Sequence, residues 1–344
     1  MKNRFFNTTL APFTYLVPSL NTITISIIAI LSPQILMLFM TKSFESLILI
    51  FISILASTVA ELLHNSFRKK TLWQNPVFIV QGLIIGMFIP KNYPVFIAFF
   101  TIFLTLIFVK YIFGGAFYSW INPVVFTIIM LYFLNSSSFP TYLISLTDIE
   151  SGNPALGLFQ NDNFSILPVD LKITNWLNNR IFSFMGIEIP EGYITLFWDT
   201  NSIIPAFRFN CLTLLSSIFL ISFNMINALI PCIFLFVYGL LVRLFGINFF
   251  GGNFASGDIL LALMTSGTLF SAFFLIDWFG TTPQTLFGKI IYGIISGIFA
   301  FFISGIGTSP VGIIFTILCS NICSPMIQLC ETFFYTIKIK HFTR

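Results

Sequence analysis

Lys110-Tyr-Ile-Phe-Gly114-Gly115-Ala-Phe-Tyr-Ser-Trp-Ile-Asn122-Pro123-Val-Val-Phe126 sets a glycine pair and an Asn-Pro step between two long apolar runs, with one lysine at its edge. Backbone freed by Gly and Pro at membrane depth is tolerated only where protein or a cavity covers it. The stretch is therefore expected to re-enter the membrane or to cap a site.

The membrane reading comes from the rest of the chain. Its 344 residues are 57% hydrophobic and 8% charged, with a mean hydropathy of +0.96. Soluble domains carry about 25% charged residues. Runs of this length and continuity suit membrane helices, and the alternation of an outer-membrane barrel is missing. A net charge of +4, scattered along the chain, suits orientation in a lipid bilayer and excludes nucleic acid as a partner. Met1 to Leu20 lacks the small-residue cleavage site of a secretory signal. The five cysteines, Cys211, Cys232, Cys319, Cys323 and Cys330, lie in or beside apolar runs and read as helix packing, not as a metal site. With His64 and His341 the only histidines, imidazole chemistry is poorly supplied.

Apolar runs fall at about 21–40, 46–63, 77–90, 94–109 and 121–135, then at about 209–223, 225–243, 257–276, 287–304 and 311–327. The expectation is an all-α integral membrane protein of about ten transmembrane helices. It divides into a first membrane repeat (1–135), an extracytoplasmic loop (136–207), a second repeat (208–330) and a basic cytoplasmic tail (331–344). Five spans per half require inverted repeats. A faint echo supports duplication: Phe126-Thr-Ile-Ile-Met130 and Phe315-Thr-Ile-Leu-Cys319 each follow a break bearing Gly and Pro. Lysine and arginine gather on the side of the termini, with Arg68-Lys69-Lys70 foremost, which places both termini in the cytoplasm. The loop is rich in acids, as an exported segment would be, and its 157–207 part reads equally as a folded cap or as a mobile stretch.

Ionisable residues inside spans are functional candidates by default. Asp277 closes the eighth run in a Gly/Thr/Pro turn, either as a cap or as a polar anchor helped by Thr281 and Thr282. Asp258 opens the same run. Glu61, near His64 and Arg68, permits a local ion pair. Lys110 either snorkels to the cytoplasmic face or pairs with an anionic group held by the loop.

These residues together resemble the D subunit of the Rnf electron-transport complex and the B subunit of the sodium-pumping NADH:quinone reductase, over nearly the whole chain. Ala60-Glu61, the run from Asn75-Pro76 to Ile89-Pro90, Lys110 with Gly114, Gly115, Asn122 and Pro123, and Ser266, Gly267, Ala272, Phe273, Phe274 and Asp277 follow the family pattern. Ser119-Trp120 replaces one family Asn-Pro, and Ile276 and Trp278 replace the residues flanking the family Asp.

The resemblance implies a bacterial cytoplasmic (inner) membrane subunit that couples flavin-mediated electron transfer to Na⁺ or H⁺ translocation, alongside sibling subunits. It implies FMN or riboflavin near Lys110, Gly114, Gly115, Asn122, Pro123, Ser151, Gly152, Asp277 and Thr281. The family's covalent FMN threonine aligns with Pro154, after Asp148, Ser151 and Gly152. Proline has no hydroxyl, so any flavin here is noncovalent, and possession of none is equally open. The other reading is a stand-alone transporter or channel-like protein of the same fold that has lost the covalent site.

Overall fold

A computed structural model describes residues 18–68, 76–112, 121–140, 167–184, 186, 188–246, 254–255, 257–305 and 311–342. Gly114, Gly115, Ser151, Gly152 and Pro154 lie outside the described residues.

The described chain is helical and contains no strand. The helices are α1 (Leu20–Met40), α2 (Phe44–Arg68), α3 (Val77–Phe88), α4 (Val95–Leu106), α5 (Pro123–Leu134), α6 (Asp170–Arg180), α7 (Tyr193–Trp198), α8 (Asn210–Ser222), α9 (Leu229–Phe245), α10 (Ile259–Thr265), α11 (Thr268–Phe274), α12 (Leu286–Ala300) and α13 (Gly312–Phe342). Four segments have the length and apolarity to cross a bilayer unaided: Leu20–Met40, Phe44–Phe67, Leu286–Ser304 and Gly312–Phe334. Val77–Phe88, Val95–Tyr111, Pro123–Leu134, Asn210–Ser222 and Leu229–Phe245 are shorter apolar helices. The molecule is a multi-pass, all-α membrane protein.

Helix starts follow local chemistry. Asn122 caps α5 by accepting from the backbone N–H groups of Val124 (3.0 Å) and Val125 (3.4 Å), and Pro123 supplies a first residue that needs no hydrogen bond. Thr285 caps α12 through Gly288 N (3.0 Å), and Asp258 caps α10 through Leu261 N (3.1 Å).

Helix pairs approach closely where glycine removes bulk, since lipid offers no hydrophobic drive between helices. A Cβ at Gly82 or Gly86 of α3 would lie 2.6 Å from the α2 backbone at Ile54 or Ile50. There Ser53 and Ser57 donate to the carbonyls of Gly82 (2.6 Å) and Phe78 (2.9 Å).

Two features depart from the sequence expectation. The eighth run is broken: Gly267, at φ +66°, separates α10 from α11. The last run does not stop near 327, because α13 stays helical to Phe342.

The two halves touch at several levels. Gln34 of α1 donates to Thr213 of α8 (3.1 Å), and the Asn122 amide donates to the Leu275 carbonyl just after α11 (3.0 Å). Phe88 packs edge-on against both Phe207 and Phe270. The α1–α2 turn meets the 199–208 segment where Arg208 donates to Ser43 (2.7 Å), and the α3–α4 turn meets it at Lys91 N to Ile203 O (3.1 Å).

Residues 167–207, undecided in sequence between cap and mobile loop, are largely folded. Buried Asp170 accepts from Thr174, from the Gly192 and Thr195 N–H groups and from the Thr195 hydroxyl, which fastens α6 to α7. Asn210, first in α8, donates to the carbonyls of Leu196 in α7 (2.8 Å) and Met264 in α10 (2.7 Å).

Candidate functional site

The α4 helix does not end as an α-helix. Residues Ile107–Tyr111 form a π-helical turn, closed by Ile112 N to Ile107 O at 3.1 Å. One extra residue in a turn rotates the residues after it by about 100°, and here Lys110 and Tyr111 are buried.

Lys110 Nζ, on a residue only 2% exposed, donates to Gln81 Oε1 (2.8 Å), to the Tyr111 hydroxyl (3.0 Å) and to Glu61 Oε2 (3.1 Å). The Tyr111 hydroxyl donates to the same Glu61 oxygen at 2.5 Å, and Asn65 Nδ2 donates to its other oxygen at 3.2 Å. Three elements thus converge: α2 supplies Glu61, α3 supplies Gln81, and the π turn supplies Lys110 and Tyr111.

This arrangement corrects two expectations. Lys110 does not snorkel, and its anionic partner is Glu61 on α2, not a group held by the glycine loop. Glu61 accepts from Lys110, from Tyr111 and, within α2, from Asn65. The physical reason is cost. A charge this deep requires a partner and hydrogen bonds on its remaining valences, and the π turn delivers an ammonium where the carboxylate already sits. Gln81 Nε2 remains buried without a partner.

A second junction lies where α11 ends. Asp277 accepts from Asn227 N (3.1 Å) in the α8–α9 turn and from the Thr282 hydroxyl (3.0 Å). Thr281 does not reach it, since its hydroxyl donates to the Trp278 carbonyl (3.1 Å). Trp278 is buried, and its Nε1 has no partner. Asn122 belongs to this junction through Leu275, and Pro123 is buried directly behind it. Among the candidate site residues that are described, Asn122, Pro123, Asp277 and Thr281 therefore gather around the end of α11, whereas Lys110 belongs to the Glu61 cluster.

The α12 helix repeats the α4 pattern. It too ends in a π turn, Phe301–Gly305, ahead of a Gly- and Pro-bearing break. Ser304, fourth in this turn as Lys110 is fourth in the other, donates to Ser266 (3.3 Å), which pairs with Thr268 (2.9 Å). One cluster is charged and the other is neutral.

Gln81 and Tyr111 were not singled out in the sequence, and neither was Arg208. Arg208 forms a two-pronged pair with Asp199, at 2.9 Å and 2.6 Å. A glutamine in an otherwise apolar run was the one available signal, and it gave no partner.

A flavin has two ring carbonyls that need donors. The orphaned buried N–H groups of Gln81, in the Glu61 cluster, and of Trp278, at the junction after α11, are of the right chemistry for such carbonyls. The hydroxyl and amide groups of Thr281 and Asn122 are already committed within the protein.

Comparison with known proteins agrees with the resemblance. The model of the NQR2, RnfD, RnfE family matches residues 7–332. The chain is 29% identical over 311 residues to the D subunit of the ion-translocating oxidoreductase complex of Buchnera aphidicola subsp. Baizongia pistaciae, covering 83% of this chain and 85% of that one. It is 24% identical over 333 residues to the D subunit of the proton-translocating ferredoxin:NAD(+) oxidoreductase complex of Clostridium ljungdahlii, covering 95% of each. It is 24% identical over 289 residues to the D subunit of the Na(+)-translocating ferredoxin:NAD(+) oxidoreductase complex of Acetobacterium woodii, covering 82% of this chain and 80% of that one. All three are named as subunits of complexes, which does not favour a stand-alone transporter. With a match that runs from residue 7 to residue 332, the chain belongs to the NQR2, RnfD, RnfE family.

Proposed function

We infer that this protein is the D-type membrane subunit of an Rnf ion-translocating electron-transport complex, working with sibling subunits to couple electron transfer to Na⁺ or H⁺ movement. The observation that carries the reading is the family match along almost the whole chain. It is supported by a fully buried Lys110 held against Glu61 among membrane helices, since ionisable groups at such depth mark ion paths.

The geometry suggests how the chain itself contributes. A cation that reaches Glu61 competes with the Lys110 ammonium for one carboxylate oxygen. Gln81 and Tyr111 remain as partners for the displaced ammonium, so exchange need not strand a bare charge. Ion passage is then a swap between two cations at Glu61, and electron transfer in the complex biases that swap.

The finer topology belongs to the same proposal. Counting the α10–α11 pair as one crossing gives ten crossings, five on each side of residues 136–207. The α1–α2 and α3–α4 turns share a face with residues 199–208, and the α5 start faces the α11 end. With the π turns of α4 and α12 in equivalent places, this supports inverted repeats, and the lysine and arginine bias of the sequence argues for cytoplasmic termini in a bacterial inner membrane.

Any flavin is held noncovalently, with Gln81 Nε2 and Trp278 Nε1 among the free buried donors. When bound, it supplies one- and two-electron redox chemistry that no side chain here possesses.

The test is affinity purification in mild detergent from the native host. Sibling membrane subunits and iron–sulfur protein are expected in the eluate. A lone chain that transports a solute in liposomes would defeat the proposal.

A further inference from the structure

Helix α6 carries an unabsorbed surface. Successive helical residues turn by about 100°, which places Val169, Ile173, Trp176 and Arg180 within an arc of about 60°. Val169, Ile173 and Trp176 are 55%, 38% and 57% exposed, and Phe184 just beyond the helix is 92% exposed. Single exposed apolar residues need no explanation, but a contiguous stripe with two aromatics does.

The polar residues of α6 are sorted by sign. Its one acid, Asp170, lies about a quarter-turn from the stripe and is buried, with four hydrogen bonds to α6 and to the 192–195 backbone and hydroxyl groups. Its two bases, Lys172 and Arg180, are exposed beside or within the apolar stripe. A helix whose exposed charges are all positive and flank an apolar stripe complements a phospholipid surface bearing anionic headgroups.

Height agrees with charge. Residue Leu167 N donates to Thr195 of α7 (3.2 Å), and Asn178 exchanges two bonds of 2.9 Å with Ile189. In turn α7 rests directly on the first residue of α8 and on α10 through Asn210. The unit therefore sits at the start of the apolar helix α8, which on the ten-crossing plan is where a bilayer's headgroups begin, and Trp198 of α7 is exposed as well. Tryptophan prefers this boundary.

We propose that α6 is an interfacial helix whose Val169–Ile173–Trp176 stripe docks onto the anionic phospholipid surface of the membrane that the chain spans. Lys172 and Arg180 contact headgroup phosphates, and Phe184 enters the acyl boundary. The inference is independent of electron transfer and of the Glu61 cluster.

The test uses the full chain in nanodiscs of phosphatidylcholine with phosphatidylglycerol. The fluorescence component that Trp176→Phe removes is compared with lipids spin-labelled near the headgroup or near the chain end. At least twofold stronger quenching by the shallow label is expected, and it should weaken in a Lys172→Gln, Arg180→Gln double variant. Equal, weak quenching by both labels, with full access to aqueous acrylamide, would overturn the proposal. In native membranes, a photo-crosslinking residue at position 176 should form lipid adducts. Adducts to another protein would overturn it too, by showing that a sibling subunit covers the stripe.

Discussion

Lys110 and Glu61 define the protein's most consequential contact between side chains. Replacing Lys110 with Met leaves Glu61 buried with one charge uncompensated, and breaking such pairs costs about 3–5 kcal/mol. A clear drop in melting temperature in detergent is expected for Lys110→Met, with most of it recovered when Glu61→Gln is added. A double variant as unstable as the single one would show that packing of the lysine stem, not charge, matters. Pro154 yields a second expectation. With no hydroxyl at that position to form a phosphoester, denaturing gels should show no flavin fluorescence on this band, and a fluorescent band would refute noncovalent binding.

The sequence offered these residues unevenly. Lys110 stood out because it borders Gly114-Gly115, and Glu61 because it ends a span. Their pairing did not stand out: the two are 49 positions apart, and the lysine turns inward only through a π turn, which leaves no mark in residue type. Asp277 was visible as a lone acid, while its partners, Asn227 N and Thr282, depend on which backbone groups the α8–α9 turn leaves free.

Among elements, hydropathy located the apolar helices well, because lipid requires long apolar runs whatever the packing. It missed the break at Gly267, since the run 257–276 stays apolar through it. The chain turns there because glycine accepts φ +66° and because a Cβ would run into the Phe207 ring. Gly267→Val should therefore lower expression or melting temperature sharply, while the same change at exposed Gly186, where an added Cβ meets nothing within 4 Å, costs only its backbone strain at φ +63°. Equal losses at both sites would deny that the α10–α11 corner is sterically set. Helices α6 and α7 were also illegible, because their order depends on one buried carboxylate, Asp170, that satisfies donors up to 25 residues away. Asp170→Ala leaves the Thr195 and Gly192 N–H groups without an acceptor, at about 1–3 kcal/mol each for a buried donor. Limited proteolysis should then cut within 167–198 far faster than in the parent.

For the molecule as a whole, the proposed inverted plan of five crossings on each side rests on the count of apolar runs and on one local likeness. Each half has a helix that ends in a π turn, and each turn presents its fourth residue to a polar cluster. The chemistry of the two clusters differs, with an ion pair in one and hydroxyls in the other. Under the inverted plan, a cysteine at Lys42 is labelled from outside intact cells, and one at Asn224 only after permeabilisation. Labelling of both from one side would exclude the ten-crossing plan.

The central claim is that Glu61, with Lys110 as its built-in competitor, couples ion movement to electron flow in the assembled complex. The most direct measurement is ion uptake into inverted membrane vesicles, recorded together with electron transfer through the complex, for the parent and for Glu61→Gln. The expected result is that Glu61→Gln assembles and lowers ion uptake at least tenfold per electron transferred. Unchanged uptake per electron in the Glu61→Gln complex would contradict the account.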